Sequence, residues 1–297
     1  MADVLQQVVS GIASGGVYAL LALALVLIYR STGVVNFAQG EMAMFSTFVC
    51  WELLDRGLPY WVAFFLTLAI SFVGGVLIER LVIHTVSRSQ ALTVVTVTIG
   101  LLILLNGAAA WIWKGEQRSL ENPFPSDTFD VGGVVIAAQD IGIIGVSLAI
   151  VVVLWAFLQR TRVGLALRAA ALNPESSRLH GVRVSWMLAL GWGLAAAIGA
   201  VAGLFTAAAA PPLEPNMMRP VLIYAFAAAV LGGLTSPVGA IVGGLTIGVV
   251  LNLIATYDTH VHLELDGVRL PIALAVILTV LLVRPAGLFG RAVVRRV

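Results

Sequence analysis

The amino-acid sequence predicts an all-α, polytopic membrane protein, a bundle of about 8 to 10 transmembrane helices of which some are broken. Of its 297 residues, 60% are hydrophobic and only 11% are charged, and the mean hydropathy is +1.02. A soluble domain carries about 25% charged residues, so this chain cannot cover a globular surface with polar side chains. The apolar residues also fall into runs close to the ~20 residues that a helix needs to cross a bilayer.

Nine apolar segments are expected to cross the membrane within a single domain that covers residues 1–297. Two longer connections separate them, an external loop at 114–140 that is rich in Pro, Asp and Gly, and a cytoplasmic loop at 159–184. The expected spans are 9–29, 37–54, 60–83, 91–113, 141–158, 185–209, 220–234, 238–256 and 270–283.

Basic residues are distributed unevenly between the two sides of these spans. The loops 30–36, 80–90 and 159–184 and the tail 284–297 hold 12 of the 17 Lys and Arg residues. The positive-inside rule places that side in the cytoplasm. Nine spans then put the N-terminus outside and the C-terminus inside a bacterial cytoplasmic (inner) membrane. The first ten residues hold no Lys or Arg, so we expect no cleavable signal.

Several kinds of site are not expected from the composition. The single cysteine, Cys50, rules out an intrachain disulfide and a cysteine metal cluster. No stretch matches GxxxxGK[ST], so the chain lacks that phosphate-binding loop and is expected to bind no cofactor or metal itself. The formal charge of +2 is interpreted as a signal of membrane orientation, with no nucleic-acid partner.

The cytoplasmic loop predicts two short helices joined by a sharp corner. In its segment "GLALRAAALNPESSRLHGV", good helix formers come first, and Asn173 can then cap a second helix that begins with Pro174 and Glu175. His180 suits the negative end of that helix, and Gly181 suits the left-handed position after it. Such an element could contact lipid or dock a soluble partner. The lack of a long apolar face on the second helix favours the partner.

The stretch "STGVVNFAQGEMAM" interrupts two apolar segments with Asn36, Gln39 and Glu41. One interpretation is local: a turn at the cytoplasmic face, with Asn36 capping the second span and Glu41 near its positive end. The other is functional: a discontinuous helix whose polar side chains face a substrate pathway or a second permease. Both interpretations stay open for Asn36 and Gln39, whereas Glu41 favours the functional one.

Four stretches together resemble the permeases of the branched-chain amino acid importer family, an ABC-importer type. They are the cytoplasmic segment above, "GVVNFAQGEMAM", "AVLGGLTSPVGAIVGGLTIGV" and "LLVRPAGLFGR", in this order along the whole chain. The resemblance is greatest to the smaller of the two permease subunits. It departs at "LGGLTSP", where the family more often has Gly-Ser, and this leaves the substrate subtype open.

This resemblance implies a set of partners and a coupling site. The partners are a second homologous permease, two cytoplasmic ATPase subunits that hold the ATP, an extracytoplasmic binding protein and the surrounding lipid. The cytoplasmic loop would contain the coupling helix that the ATPases contact. The residues expected to couple it are Arg168, Ala171, Asn173, Glu175, Arg178, His180 and Gly181.

The resulting hypothesis is a transport subunit that carries no enzymatic activity and imports amino acids, branched-chain ones by resemblance. An alternative is a self-sufficient ion-coupled transporter or channel for a small polar solute. It would need ionisable groups in the membrane, where this sequence offers Glu41 and little else. An intramembrane enzyme would need a paired nucleophile and base or a metal cluster, and the sequence suggests neither. The substrate stays open among leucine-type and other amino acids, amides and urea.

Overall fold

The computed structural model describes residues 2–86, 89–125, 127–131, 134–261 and 269–290. The part of the expected cytoplasmic tail after residue 290 lies outside these residues. Helices dominate the described chain, and a π-helical turn, Glu79–Ile83, joins the third to the fourth. The helices are α1 Ala2–Thr32, α2 Gln39–Asp55, α3 Tyr60–Ile78, α4 His84–Val86, α5 Ala91–Ile112, α6 Ala138–Arg160, α7 Arg162–Leu172, α8 Pro174–Leu179, α9 Val184–Ala209, α10 Met218–Gly232, α11 Pro237–Val261 and α12 Arg269–Val283.

The predicted helical membrane bundle is confirmed. Within the described residues, six helical segments are long and apolar enough to cross a membrane, and α10 and α12 are shorter apolar helices. With α2 this makes nine, inside the expected range. The external loop adds one feature that the sequence did not indicate, an antiparallel hairpin of β1 Thr128–Val131 and β2 Val134–Ala137.

Two expected cytoplasmic loops are largely helical, which corrects their predicted bounds. The helix α1 continues through Thr32, so Arg30 lies in a helix and not in a loop at 30–36. The hydroxyls of Ser31 and Thr32 both donate to the carbonyl of Ile28, at 2.8 and 2.9 Å, and so satisfy the end of the helix. Likewise, the helix that begins with α3 continues through the π-helical turn to Val86, into the expected loop at 80–90.

The helices α1 and α9 form the centre of the bundle. In their most apolar windows, 83% of α1 and 78% of α9 is buried, against 17% for α5 and 22% for α6. A helix that is apolar all round and buried is a core helix, whereas an apolar helix with an exposed surface faces lipid or another subunit. The outer helices therefore surround α1 and α9.

Rows of small residues bring the central helices into close contact. A Cβ atom on Gly15 of α1 would lie 2.8 Å from the Leu245 Cα of α11, and one on Gly203 of α9 would lie 2.6 Å from the Ala43 carbonyl oxygen of α2. Real Cβ contacts are longer, so these positions require glycine. The small-residue rows at 191–203 and 239–248 thus serve packing inside the chain.

The segment after α12 covers the end of α10. The backbone N–H of Leu288 donates to the carbonyl of Leu231 at 2.9 Å, and that of Phe289 donates to the carbonyl of Gly232 at 3.0 Å. These bonds satisfy carbonyls that a helix end otherwise leaves unpaired. The motifs "LGGLTSP" and "RPAGLFG", far apart in sequence, therefore form one structural unit.

Candidate functional site

The break between α1 and α2 is stabilised by its own polar side chains. The Asn36 Oδ1 atom accepts from the backbone N–H of Ala38 at 3.0 Å, and its Nδ2 atom donates to Gln39 Oε1 at 3.3 Å. Asn36 was expected to cap α2, but the N-cap position is Ala38, which has no side-chain cap. Asn36 instead holds the turn two residues earlier, because its side chain bonds the N–H two residues on, as in an Asx turn.

The second helix begins deep within the bundle. Gln39 Nε2 donates to the carbonyl of Ala195 at 3.0 Å, and Ala195 lies near the midpoint of α9. Further along α2, the Thr47 hydroxyl packs against Gly203, so α2 and α9 run in the same direction. The polar break therefore lies beside the middle of a membrane-spanning helix. Irregular backbone at that depth occurs where it is buried in protein or lines a cavity.

The helix α10 begins next to the start of α2. A Cβ on Gly40 would lie 3.2 Å from Leu222 Cβ and 3.5 Å from the Met218 carbonyl oxygen, and Met218 is the first residue of α10. Two short helices thus start side by side. Each contributes the positive end of its macrodipole to the same region.

These two short helices run in opposite directions. Gly243 of α11 packs on Ala228 of α10, and Gly239 packs on Gly232, so α10 and α11 are antiparallel. By the same criterion α11 is antiparallel to α1, because Gly244 meets Ala19 as Gly248 meets Gly15. α10 therefore runs parallel to α1.

The direction of α2 follows from the two ends that meet at one cavity. This cavity of about 220 Å³ is lined by Ser31 and Thr32 at the end of α1 and by Val184 and Ser185 at the start of α9. Hence α1 and α9 are antiparallel, and α2, which follows α9, runs opposite to α10. The helices α2 and α10 meet at their N-termini and diverge toward opposite faces.

Glu41 anchors a buried polar cluster at this meeting point. Its side chain belongs to a residue that is only 2% exposed. Asn106 Nδ2, from α5, lies 3.2 Å from Glu41 Oε2, 2.9 Å from the Pro215 carbonyl oxygen and 3.3 Å from Asn216 Oδ1. Arg219 adds an electrostatic interaction with Glu41. The cluster joins α2, α5 and the segment before α10.

The three predicted residues are all buried inside this chain, away from lipid. Asn36 and Gln39 are 0% exposed, and their partners in the break and α9 are described above. Their role in a pathway or subunit interface stays a prediction. The sequence reasoning missed Asn106, although a lone amide within the apolar run "GLLILLNGAAAW" was a usable signal.

Glu41 is not the only buried acid in a membrane segment, contrary to the sequence reasoning. Glu79 is 1% exposed, because the helix continues through its π-helical turn instead of ending there. Its Oε1 atom lies 3.6 Å from His84 Nδ1. The adjacent Arg80 donates to Ser185 Oγ at 3.0 Å and stacks on Trp186, with its Cζ atom 4.1 Å from the ring centroid.

The cytoplasmic loop forms the predicted pair of short helices. Asn173 Oδ1 accepts from the Ser176 N–H at 2.9 Å, and Pro174 is the first residue of α8. Gly181 follows α8 with φ of +79°, the left-handed conformation that glycine adopts without strain. The first helix begins at Arg162 instead of residue 164, since the Thr161 hydroxyl accepts from the Gly164 N–H at 2.9 Å.

Most of the expected coupling residues lie on one exposed surface, the α8 surface. Its members are Asn173, Glu175, Arg178, His180 and Gly181. Ala171 is partly buried, and Arg168 is half-buried with its Nη1 atom donating to Gln159 Oε1 at 2.9 Å. Sequence reasoning missed Leu172 and Leu179, which are 78% and 88% exposed. Large exposed apolar side chains typify a contact surface.

In the described residues, no group of three or more His, Cys, Asp or Glu side chains could hold a metal ion. The arrangement is therefore that of a membrane permease, with a polar region at mid-depth between helix starts and a structured surface at one face.

Comparison with known proteins assigns the family. Residues 7–284 match the family described as "Branched-chain amino acid transport system / permease component". The chain belongs to this family, and it is a multi-pass inner-membrane transport permease. The resemblance deduced from the four sequence motifs is thereby confirmed.

Several relatives match along nearly their full length. The chain is 29% identical to the high-affinity branched-chain amino acid transport system permease protein BraD of Pseudomonas aeruginosa, over 99% of this chain and 98% of the relative. It is 28% identical to LivH of Escherichia coli K12, over 99% and 97%. A solved structure, PsaBC from Streptococcus pneumoniae in complex with Fab, aligns with a TM-score of 0.49 and 14% identity over 93% and 91%, a distant likeness.

Proposed function

We propose that this chain imports branched-chain amino acids as one of two homologous permeases in an ATP-driven importer. A binding protein delivers the substrate from outside, and two ATPase subunits bind below. The names of the relatives above support the substrate class. The observation that carries the proposal is the meeting of α2 and α10 at their N-termini beside the buried Glu41–Asn106 pair. Discontinuous helices of this kind form substrate sites in transporters.

The chemistry of this meeting point suits a zwitterionic amino acid. Helix N-termini favour a carboxylate group, and the Glu41 carboxylate favours an ammonium group. The exposed apolar face of α5, with Ile103 and Leu104 each 65% exposed, offers a surface for the second permease. A path between the two permeases would then pass the region where Asn106 of α5 meets Glu41.

The α8 surface is the proposed contact for the ATPases. Behind it, Pro174 and Arg178 line the same 220 Å³ cavity as the end of α1 and the start of α9. A displacement of α8 would reach the end of α1 directly, and α1 leads into the break at residues 33–38. Coupling therefore needs no ATP site on this chain, because the ATPases supply the movement.

The external side offers a structured surface for the binding protein. Arg118 pairs with Leu213 through two backbone hydrogen bonds of 3.0 and 2.8 Å, and its guanidinium lies over Trp51, 4.5 Å from the ring centroid. These contacts tie the loop at 114–125 to the segment that carries the Glu41 cluster. Delivery from outside and opening of the path would thus act on connected elements.

A second candidate is an ion-coupled carrier that works without ATPases. The buried pair of Glu79 and His84 supports it, since ionisable groups within membrane segments typify ion-coupled transport. The π-helical turn that holds Glu79 also suits it, because such turns are frequent at functional sites.

Reconstitution separates the two candidates. Proteoliposomes that contain both permeases, the ATPases and the binding protein should take up leucine only with ATP inside the ATPase-accessible compartment. Liposomes with this chain alone should show no uptake under a pH or sodium gradient. Gradient-driven uptake by the chain alone would overturn the ATP-driven proposal and favour the carrier.

A further inference from the structure

A groove of about 420 Å³ lies between α1, α6, α7 and α11 at the end of the bundle that carries the cytoplasmic loop. Its walls are apolar, and several wall residues are open to the surroundings: Val152 and Trp155 of α6 are each 52% exposed, and Val238 of α11 is 59% exposed. In a bilayer, such a wall contacts acyl chains.

One end of the groove is basic. Arg30 of α1, Arg168 of α7 and Gln159 of α6 line it together with the apolar residues. The two arginines also line an adjoining small cavity, so their side chains converge from different helices. A third basic residue, Arg160, lies at this rim with its Cζ atom 5.9 Å from the ring centroid of Trp155.

Arg168 retains hydrogen-bonding capacity in this position. Its Nη1 atom donates to Gln159, as described above, while its Nε atom is buried and has no hydrogen-bond partner among the described residues. A buried donor without an acceptor is costly, so an anionic group that accepts from it would stabilise the site.

We propose that this groove binds an anionic phospholipid, with its phosphate at Arg30 and Arg168 and an acyl chain along α6 and α11. The groove combines an apolar wall at the level of the membrane with positive charge at its cytoplasmic end. Basic pockets between transmembrane helices at that face bind anionic lipid head groups. A soluble ligand would leave the apolar wall unused, and a zwitterionic lipid would leave the arginines without net negative charge.

The bound lipid would act on the cytoplasmic loop. Arg168 lies on α7, which leads directly into α8, and α7 packs on the bundle through its buried residues Leu167 and Ala170. A phosphate that bridges Arg168 to Arg30 would fix α7 against α1. This inference is independent of the transported substrate and assigns Arg168 a role other than ATPase contact.

Native mass spectrometry of the purified full chain in neutral detergent tests the proposal. Phosphatidylglycerol and phosphatidylcholine with identical acyl chains are added at equal concentration. We expect retention of one phosphatidylglycerol in preference to phosphatidylcholine. The double variant Arg30→Gln/Arg168→Gln should weaken phosphatidylglycerol binding by roughly fivefold for each arginine lost.

Two further variants separate the charge from the wall. Arg162→Gln removes an exposed arginine of α7 outside the groove and should leave lipid binding unchanged. Val238→Trp fills the apolar wall with the charges intact and should weaken retention of both lipids.

Three outcomes would overturn the lipid assignment. The first is equal retention of the two lipids by the unaltered chain. The second is an equal loss with Arg162→Gln and with the double variant. The third is complete displacement of phosphatidylglycerol by inorganic phosphate at matched concentration, which would make the site a free-phosphate site.

Discussion

Asn106 and Glu41 are joined by a hydrogen bond of 3.2 Å between Nδ2 and Oε2, although they come from helices that are far apart in the sequence. α5, which carries Asn106, has a mostly exposed apolar surface, whereas Glu41 is buried at the start of α2. This pair is therefore the direct link between the break and the helix on which we expect the second permease to pack.

Substitution of Glu41 tests this link. Glu41→Gln keeps a side-chain oxygen that can accept from Asn106 but removes the negative charge. We expect normal membrane insertion and a roughly tenfold loss of ATP-driven leucine uptake, equivalent to the loss of about 1.4 kcal/mol of interaction. Uptake in proteoliposomes measures the effect.

The matched control is Glu52→Gln on the same helix. Glu52 binds Arg56 at 2.7 Å near the surface, where an ion pair contributes little. Uptake should stay within about twofold of the unaltered chain. Equal uptake by both variants would remove Glu41 from the pathway and leave it a purely structural residue.

The end of α8 provides a second test. Gly181 is left-handed and exposed, and no other residue lies within 4 Å of an added Cβ atom. Gly181→Val should cost about 1–2 kcal/mol of local strain and place a branched side chain on the α8 surface. We expect loss of both leucine uptake and substrate-stimulated ATP hydrolysis in the assembled importer.

Gly57→Val is the control for backbone strain. Gly57 follows α2 with φ of +86° and also has open space around it, but it lies at the other face of the bundle. The two variants should lose similar thermal stability, and only Gly181→Val should uncouple ATP hydrolysis from transport. Normal coupling in Gly181→Val would show that the ATPases dock elsewhere.

Local signals in the sequence were sufficient for the elements that depend on local chemistry. The two-helix corner followed from Asn173, Pro174 and Gly181, because capping and a left-handed glycine act within a few residues. The membrane bundle followed from composition and from the length of the apolar runs.

Relationships between distant segments could not be derived from the sequence. The neighbours of Glu41 come from α5 and from the segment before α10, and no spacing rule links residues 41, 106 and 216. The continuation of the helix through Glu79 was also hidden, because a charged residue followed by Arg80 resembles the end of a span. Burial of Glu79 depends on α9, which comes about 100 residues later in the chain.

A third prediction concerns the unit formed by the two distant motifs. Gly233 has φ of +101°, and a Cβ there would lie 2.7 Å from the Ala286 carbonyl oxygen. Gly233→Ala should destabilise the protein by about 1–3 kcal/mol and lower its thermal unfolding midpoint in detergent. Gly115→Ala is the control, because Gly115 has φ of +63° and open space. Equal midpoints for the two variants would show that φ alone, and not packing on the C-terminal segment, determines the effect.

The orientation in the membrane is the last prediction, and the chain allows a clean measurement. Its only cysteine, Cys50, is fully buried, so labelling of the unaltered chain by a membrane-impermeant maleimide should be low. Glu175→Cys on α8 should react only after the membrane is opened, whereas Glu116→Cys, in the external loop, should react in intact cells. Both positions are exposed, so a difference in labelling reports the side of the membrane and not burial. The reverse pattern would place α8 outside, away from cytoplasmic ATPases, and would contradict the positive-inside assignment on which the coupling proposal depends.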